Sequence, residues 1–128
     1  MGNAIGPPVD INDRVVLIRI PQLYRPDMSE TELYEATRGH WKVGPRREGA
    51  EYALVVHGGV VREAYSIERW QPAGTAAYTT RPDRKDPEGR WEFVGEPAPQ
   101  GIRSKYVGRS VKGYLSQGNQ NPIRYVNC

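Results

Sequence analysis

The sequence predicts an α+β fold: a small curled mixed or antiparallel β-sheet, a partial barrel, with one or two short helices. Three observations lead there. Residues 14–20 form a β-branched apolar run, residues 29–32 form a capped helix start, and Gly58 and Gly59 join two further apolar runs. At 128 residues the chain reads as one domain, 1–128, able to bury a core without staples. Its hydrophobic fraction is only 38% and its mean hydropathy is −0.70. Eleven prolines, fourteen glycines, eight tyrosines and three tryptophans nevertheless favour a loop-rich β protein over a disordered chain.

Residues 1–12 read as a loose N-terminal arm. The run Arg14, Val15, Val16, Leu17, Ile18, Arg19, Ile20 has the length and composition of a buried strand and stops at Pro21. Ser29, Glu30, Thr31 and Glu32 have the pattern of a capping box. The Ser29 hydroxyl accepts from the Glu32 backbone N–H, and the Glu32 carboxylate returns to the Ser29 N–H. Met28 and Leu33 have the spacing of a hydrophobic staple. The helix runs to about Arg38 and ends at Gly39, with Leu33, Ala36 and Thr37 toward the core. It is too short to be stable alone, so it must dock on a sheet.

Residues 51–57 and 60–67 flank Gly58 and Gly59, which supply the positive φ angles of a two-residue hairpin turn. In the second arm Val61, Glu63, Tyr65 and Ile67 alternate with Val60, Arg62, Ala64 and Ser66. The alternation is imperfect, because Glu63 falls on the more apolar face. Residues 71–89 read as a long exposed loop. Residues 90–95 form a strand with Trp91 and Phe93 on one face. A short helix covers part of residues 103–115, and residues 121–127 close the sheet. The expected order is β-α-β-β-loop-β-(α)-β.

The only cysteine is Cys128, which excludes an internal disulfide and a thiolate metal site and suits a cytoplasmic protein. No stretch is long and apolar enough to cross a membrane. No cofactor or metal is expected. Net charge is only +3, so any polyanion binding must come from local clustering. Such clustering exists. From Pro97 to Cys128 the chain carries Arg103, Lys105, Arg109, Lys112 and Arg124 and no acid, interleaved with tyrosines and amides. These groups hold phosphates and stack on bases. The same segment also reads as a solvated face balanced by acids elsewhere.

Four constellations carry candidate chemistry. After the helix, Arg38, Lys42, Arg46 and Arg47 surround Trp41 on a Gly/Pro-shaped loop. The cations suit phosphate, and Trp41 either stacks a base or plugs the core. Trp41, Trp70 and Trp91 either line a base pocket or fill space. His57 and Glu63 face each other across the hairpin as candidate acid and base, beside His40, although no catalytic motif surrounds them. Ser104, Gly108 and Ser110 either cradle a phosphate or form a turn.

The run from the first strand through the hairpin, residues 15–20, 29–38 and 52–67, resembles a PUA-like domain of the ASCH, EVE and YTH type. The resemblance is one of element order, without the signature motifs of those domains. It implies a curled sheet with helices at its mouth and a base-binding pocket there, near Trp41, Arg46, Arg47, Tyr65 and Trp70. The reading that follows is a nucleic-acid-binding module for RNA or DNA, holding a modified or unpaired base in an aromatic pocket. Its contacts would be Arg38, Trp41, Lys42, Arg46, Arg47, Tyr65, Trp70, Arg103, Lys105 and Arg109. Two alternatives stand beside it: an enzyme acting on nucleic acid or nucleotides through His57 and Glu63, and a protein-interaction module or inhibitor whose basic tail meets an acidic partner.

Overall fold

The computed structural model describes residues 8–20, 25–39, 41–75, 89–115 and 121–128. Strands β1 (Val15–Arg19), β2 (Tyr52–His57), β3 (Val60–Pro72), β4 (Trp91–Pro97) and β5 (Ile123–Val126) form one mixed sheet in the order β4-β3-β2-β1-β5. Helix α1 (Glu30–Arg38) lies between β1 and β2, and α2 (Gln100–Tyr106) follows β4. The α+β class and the element order match the sequence expectation. The sheet is open, with β4 and β5 at opposite edges. Among the described residues no helix is long and apolar enough to cross a membrane.

β1 is the centre of the assembly. It runs parallel to β2, with Val15 beside Tyr52, and antiparallel to β5, with Val15 beside Val126. A parallel pair needs a crossover, and α1 lies within it. Alternate β1 residues enter two separate cores. Val15 and Leu17 join Leu54, Val56, Val61 and Tyr106 on the α2 face. Val16 and Ile18 join Ala53, Val55, Tyr65 and Phe93 on the α1 face. That explains the continuous apolar run in the sequence, since a strand covered on both faces has no solvent side.

The helix start is as the sequence predicts. Ser29 Oγ accepts from the Glu32 N–H at 3.0 Å, and a Glu32 carboxylate oxygen accepts from the Ser29 N–H at 3.0 Å. Ala36 and Thr37 are buried, and Leu33 packs against the α1-face core. The hairpin turn has positive φ at both Gly58 and Gly59. The broken alternation in β3 is a β-bulge. Val55 pairs with Glu63 but Val56 pairs with Val61, so Arg62 is the extra residue. Val61 and Ala64 therefore share the α2-face core, while Tyr65 enters the other.

β3 is longer than expected and takes in Gln71 and Pro72; residues 76–88 of the predicted loop lie outside the described residues, as do residues 1–7 of the predicted arm. Residues 8–12 of that arm are anchored. Val9 donates to the Ser110 carbonyl, and Ile11 is buried and donates to the Tyr114 hydroxyl. The segment read as a possible phosphate cradle uses its backbone in the fold. The Gly108 N–H donates to the Val61 carbonyl, the Val111 N–H to the Gly59 carbonyl, and Val61 donates to the Arg109 carbonyl.

Two substitutions test this architecture. Ser29→Ala removes one half of the capping box and should cost about 1 kcal/mol in urea denaturation; an unmoved midpoint would show that the cap contributes nothing. Gly95→Ala should cost more, roughly 2–3 kcal/mol. A Cβ there would stand 2.1 Å from the Ser66 carbonyl oxygen beside the second β3 bulge, so wild-type stability in this variant would contradict the β3–β4 register.

Candidate nucleic-acid interface

The acid-free tail does not form one cationic surface, because partners from earlier in the chain take up much of its charge. Arg103 makes a two-pronged contact to Glu63, at 2.8 and 3.0 Å. Lys105 lies 2.8 Å from the Asp13 carboxylate and also donates to the Asn12 side chain. The Tyr106 hydroxyl donates to the same Asp13 carboxylate. Arg109 donates to the Pro8 carbonyl at 3.1 Å. The hydrogen bonds from Lys105 and then Tyr106 hold the Asp13 carboxyl below its ordinary value, against the opposing effect of burial.

The loop after α1 divides in a similar way. Arg38 is buried in the last helical turn, with its guanidinium 5.1 Å from the Tyr34 ring centroid. Arg47 is largely buried and stacks on Trp91 at 3.7 Å, with Glu48 at 3.1 Å. Lys42 and Arg46 are exposed. Arg46 lies 4.8 Å over the Tyr125 ring and donates to the Cys128 carbonyl oxygen at 3.0 Å through Nε and again through Nη2.

Lys42 and Arg46 thereby meet the end of the tail. A cleft of about 350 Å³ is lined by Lys42, Gly44, Arg46, Asn121, Arg124 and Tyr125, together with Val43 and Ile123. It brings together cations from segments about eighty positions apart, with no acidic residue among the described residues of its lining. Burial holds the Tyr125 phenol above its ordinary range, with Arg46 and Arg47 acting against that rise. Sequence reasoning named Lys42 and Arg46 but passed over Arg124, Tyr125 and Asn121 as individual contacts. Their only signal was membership of the acid-free tail, which does not say which of its cations remain without a carboxylate.

The tryptophans do not gather around a cavity. Trp70 is buried, with its ring edge-on to Phe93 at 5.5 Å. Trp41 pairs with Trp91 through two backbone hydrogen bonds, and its indole N–H donates to the Thr37 carbonyl at 2.7 Å. Trp41 thus ties the loop to the C-terminal turn of α1 and to the start of β4. Tyr65 lines a different cleft, between α1, β3 and β4.

His57 and Glu63 line separate clefts. His57 stands at the end of β2 beside Arg19 and Lys112, whereas Glu63 stands beside Tyr65 and Arg103. His40 lies outside the described residues. Among the described residues no three His, Cys, Asp or Glu side chains are grouped to hold a metal ion. Comparison of the chain with protein-family models, with curated proteins and with solved structures returns no match.

The Asp13 cluster generates a pH prediction. A carboxyl lowered in the folded state adds stability above its unfolded value, 3.8, and loses it as pH falls through the lower folded value. Lys105, raised above 10.5, adds stability below that value and loses it as pH rises through the higher folded one. Denaturation midpoints of wild type and Asp13→Asn should therefore differ most near neutral pH and converge below 3.8. A constant difference down through strongly acidic pH would show that the Asp13 charge does not stabilise the fold.

Proposed function

We propose that this chain is a nucleic-acid-binding module that holds the sugar-phosphate backbone in the cleft lined by Lys42, Arg46, Arg124, Asn121 and Tyr125. The observation that carries the reading is the convergence of three cations on one acid-free cleft. Arg46 has guanidinium N–H groups beyond the two given to the Cys128 carbonyl, and Lys42 and Arg124 add exposed charge. Asn121 supplies an amide, and Tyr125 supplies a ring on which Arg46 already rests. A groove of cations beside an aromatic ring is the usual arrangement for tracking a single strand. The likeness to PUA-like domains, and with it a partial barrel with an aromatic base pocket, belongs to the same proposal. Its support is element order, so the function is rested on the cleft. RNA and DNA share the backbone chemistry that the cleft addresses.

Binding of short single strands should weaken with salt, with a log–log slope of about −0.7 per contacted phosphate and so about −2 for three contacts. Arg46→Ala and Arg124→Ala should each flatten the slope by about 0.7, equally across sequences. Arg47→Ala should lower thermal stability, because it uncovers Trp91, and should leave the slope in place. Fluorescence anisotropy from low to physiological salt measures all four proteins. If no oligonucleotide binds at low salt, the reading fails and an acidic protein partner takes its place.

A further inference from the structure

The cleft between α1, β3 and β4 has the opposite character, and the backbone contacts proposed above do not use it. Its volume, about 430 Å³, suits one small ligand group. Met28, Leu33, Tyr34, Tyr65 and Pro97 give it apolar walls. Its charged lining is Glu30, Glu63, Glu96 and Arg103. Arg103 and Glu63 offset each other through their paired hydrogen bonds. Glu30 and Glu96 are exposed and have no ion-pair partner among the described residues, so the rim is negative. Such a site repels phosphate.

Tyr65 supplies an independent sign of a ligand. The residue is only 2% exposed. Its ring is held by Tyr34 at 5.3 Å and Phe93 at 6.2 Å. Its hydroxyl makes no hydrogen bond among the described residues, although it belongs to the cleft wall. The hydroxyl therefore keeps hydrogen-bonding capacity that the described residues leave to whatever occupies the cleft, water or a ligand. Burial first, then Glu63, Tyr34 and Glu30, hold the Tyr65 phenol well above its ordinary range, with Arg103 acting against that rise. Tyr34 is fixed as the facing wall, because its hydroxyl accepts from the Gly95 N–H at 3.0 Å.

We propose that this cleft binds an organic cation on an apolar stem: an alkylammonium group, carried by a small free amine or by a lysine side chain. The stem lies against Met28, Leu33 and the tyrosine rings. The ammonium donates to the Tyr65 hydroxyl and is drawn by Glu30 and Glu96, with the ring faces adding cation–π attraction. This inference does not rest on the nucleic-acid reading, since the two clefts share no residue.

The test titrates the full chain with n-pentylamine, with N-acetyl-lysine methylamide and with n-pentanol, following backbone amide NMR shifts of Leu33, Tyr65 and Gly95. Saturable shifts are expected for both cations at millimolar concentrations, with pentanol about tenfold weaker. The two cations distinguish a free amine from a peptide-borne lysine by which binds more tightly. Glu30→Gln combined with Glu96→Gln should weaken the amine about tenfold and leave pentanol unchanged. Both positions are exposed, so the fold should survive, and thermal melts check that it does. Tyr65→Phe should weaken the amine in the same direction. The proposal is overturned if pentanol binds as tightly as pentylamine, if the double variant binds the amine unchanged, or if no ligand shifts these amides. Arg46→Ala should leave amine binding intact, which keeps this result separate from the fate of the nucleic-acid reading.

Discussion

Val15 and Leu17 face the core under α2, and Val16 and Ile18 face the core under α1, so β1 has no side left for water. The rest of the chain is arranged to satisfy that condition. The parallel pairing with β2 puts α1 in the crossover, and a helix too short to stand alone is stabilised by the face it covers. The second face needs its own cover, and α2 supplies it after β4 has been laid down. The end of the chain then returns as β5 to close the remaining edge of β1.

That return decides the electrostatics. Bringing the tail back across the sheet sets Arg103 against Glu63 and Lys105 against Asp13, at sequence separations of 40 and 92 residues. These pairs are half-exposed, and their weight lies as much in orientation as in energy. Arg103 ties α2 to the β3 bulge; Lys105 and Tyr106 tie it to the segment before β1. Arg124 lies beyond them on β5, where the carbonyl of Cys128 holds Arg46 beside Tyr125. The basic cleft is therefore what remains of a basic tail after the fold has used its share.

The two clefts have opposite charge. The basic one adjoins β5 at one edge of the sheet, and the acidic one adjoins β4 at the other. Five strands at the usual spacing of ~4.8 Å put these edges roughly 19 Å apart. The two clefts share no described residue, and neither is lined by a tryptophan among the described residues. Trp70, Trp41 and Trp91 instead build the end of the α1-face core where β3, β4 and the loop after α1 meet.

Local physics made much of the fold legible in advance. The capping box acts within four residues, the Gly58–Gly59 turn needs only two positive φ angles, and a strand buried on both faces must be apolar throughout. Even the β3 bulge left a mark, as Glu63 out of phase with its apolar neighbours. Which cations remain available was not legible, because each answer depends on a partner distant in the chain: Glu63 for Arg103, Asp13 for Lys105, Trp91 for Arg47. The open edges of the sheet and the joining of Lys42 and Arg46 to Arg124 depend likewise on long-range strand order. By itself the sequence determined the elements, their order and their local caps, since those energies are made between near neighbours. Only the tertiary structure decided which charges meet and which clefts they line, since those energies are made across the sheet.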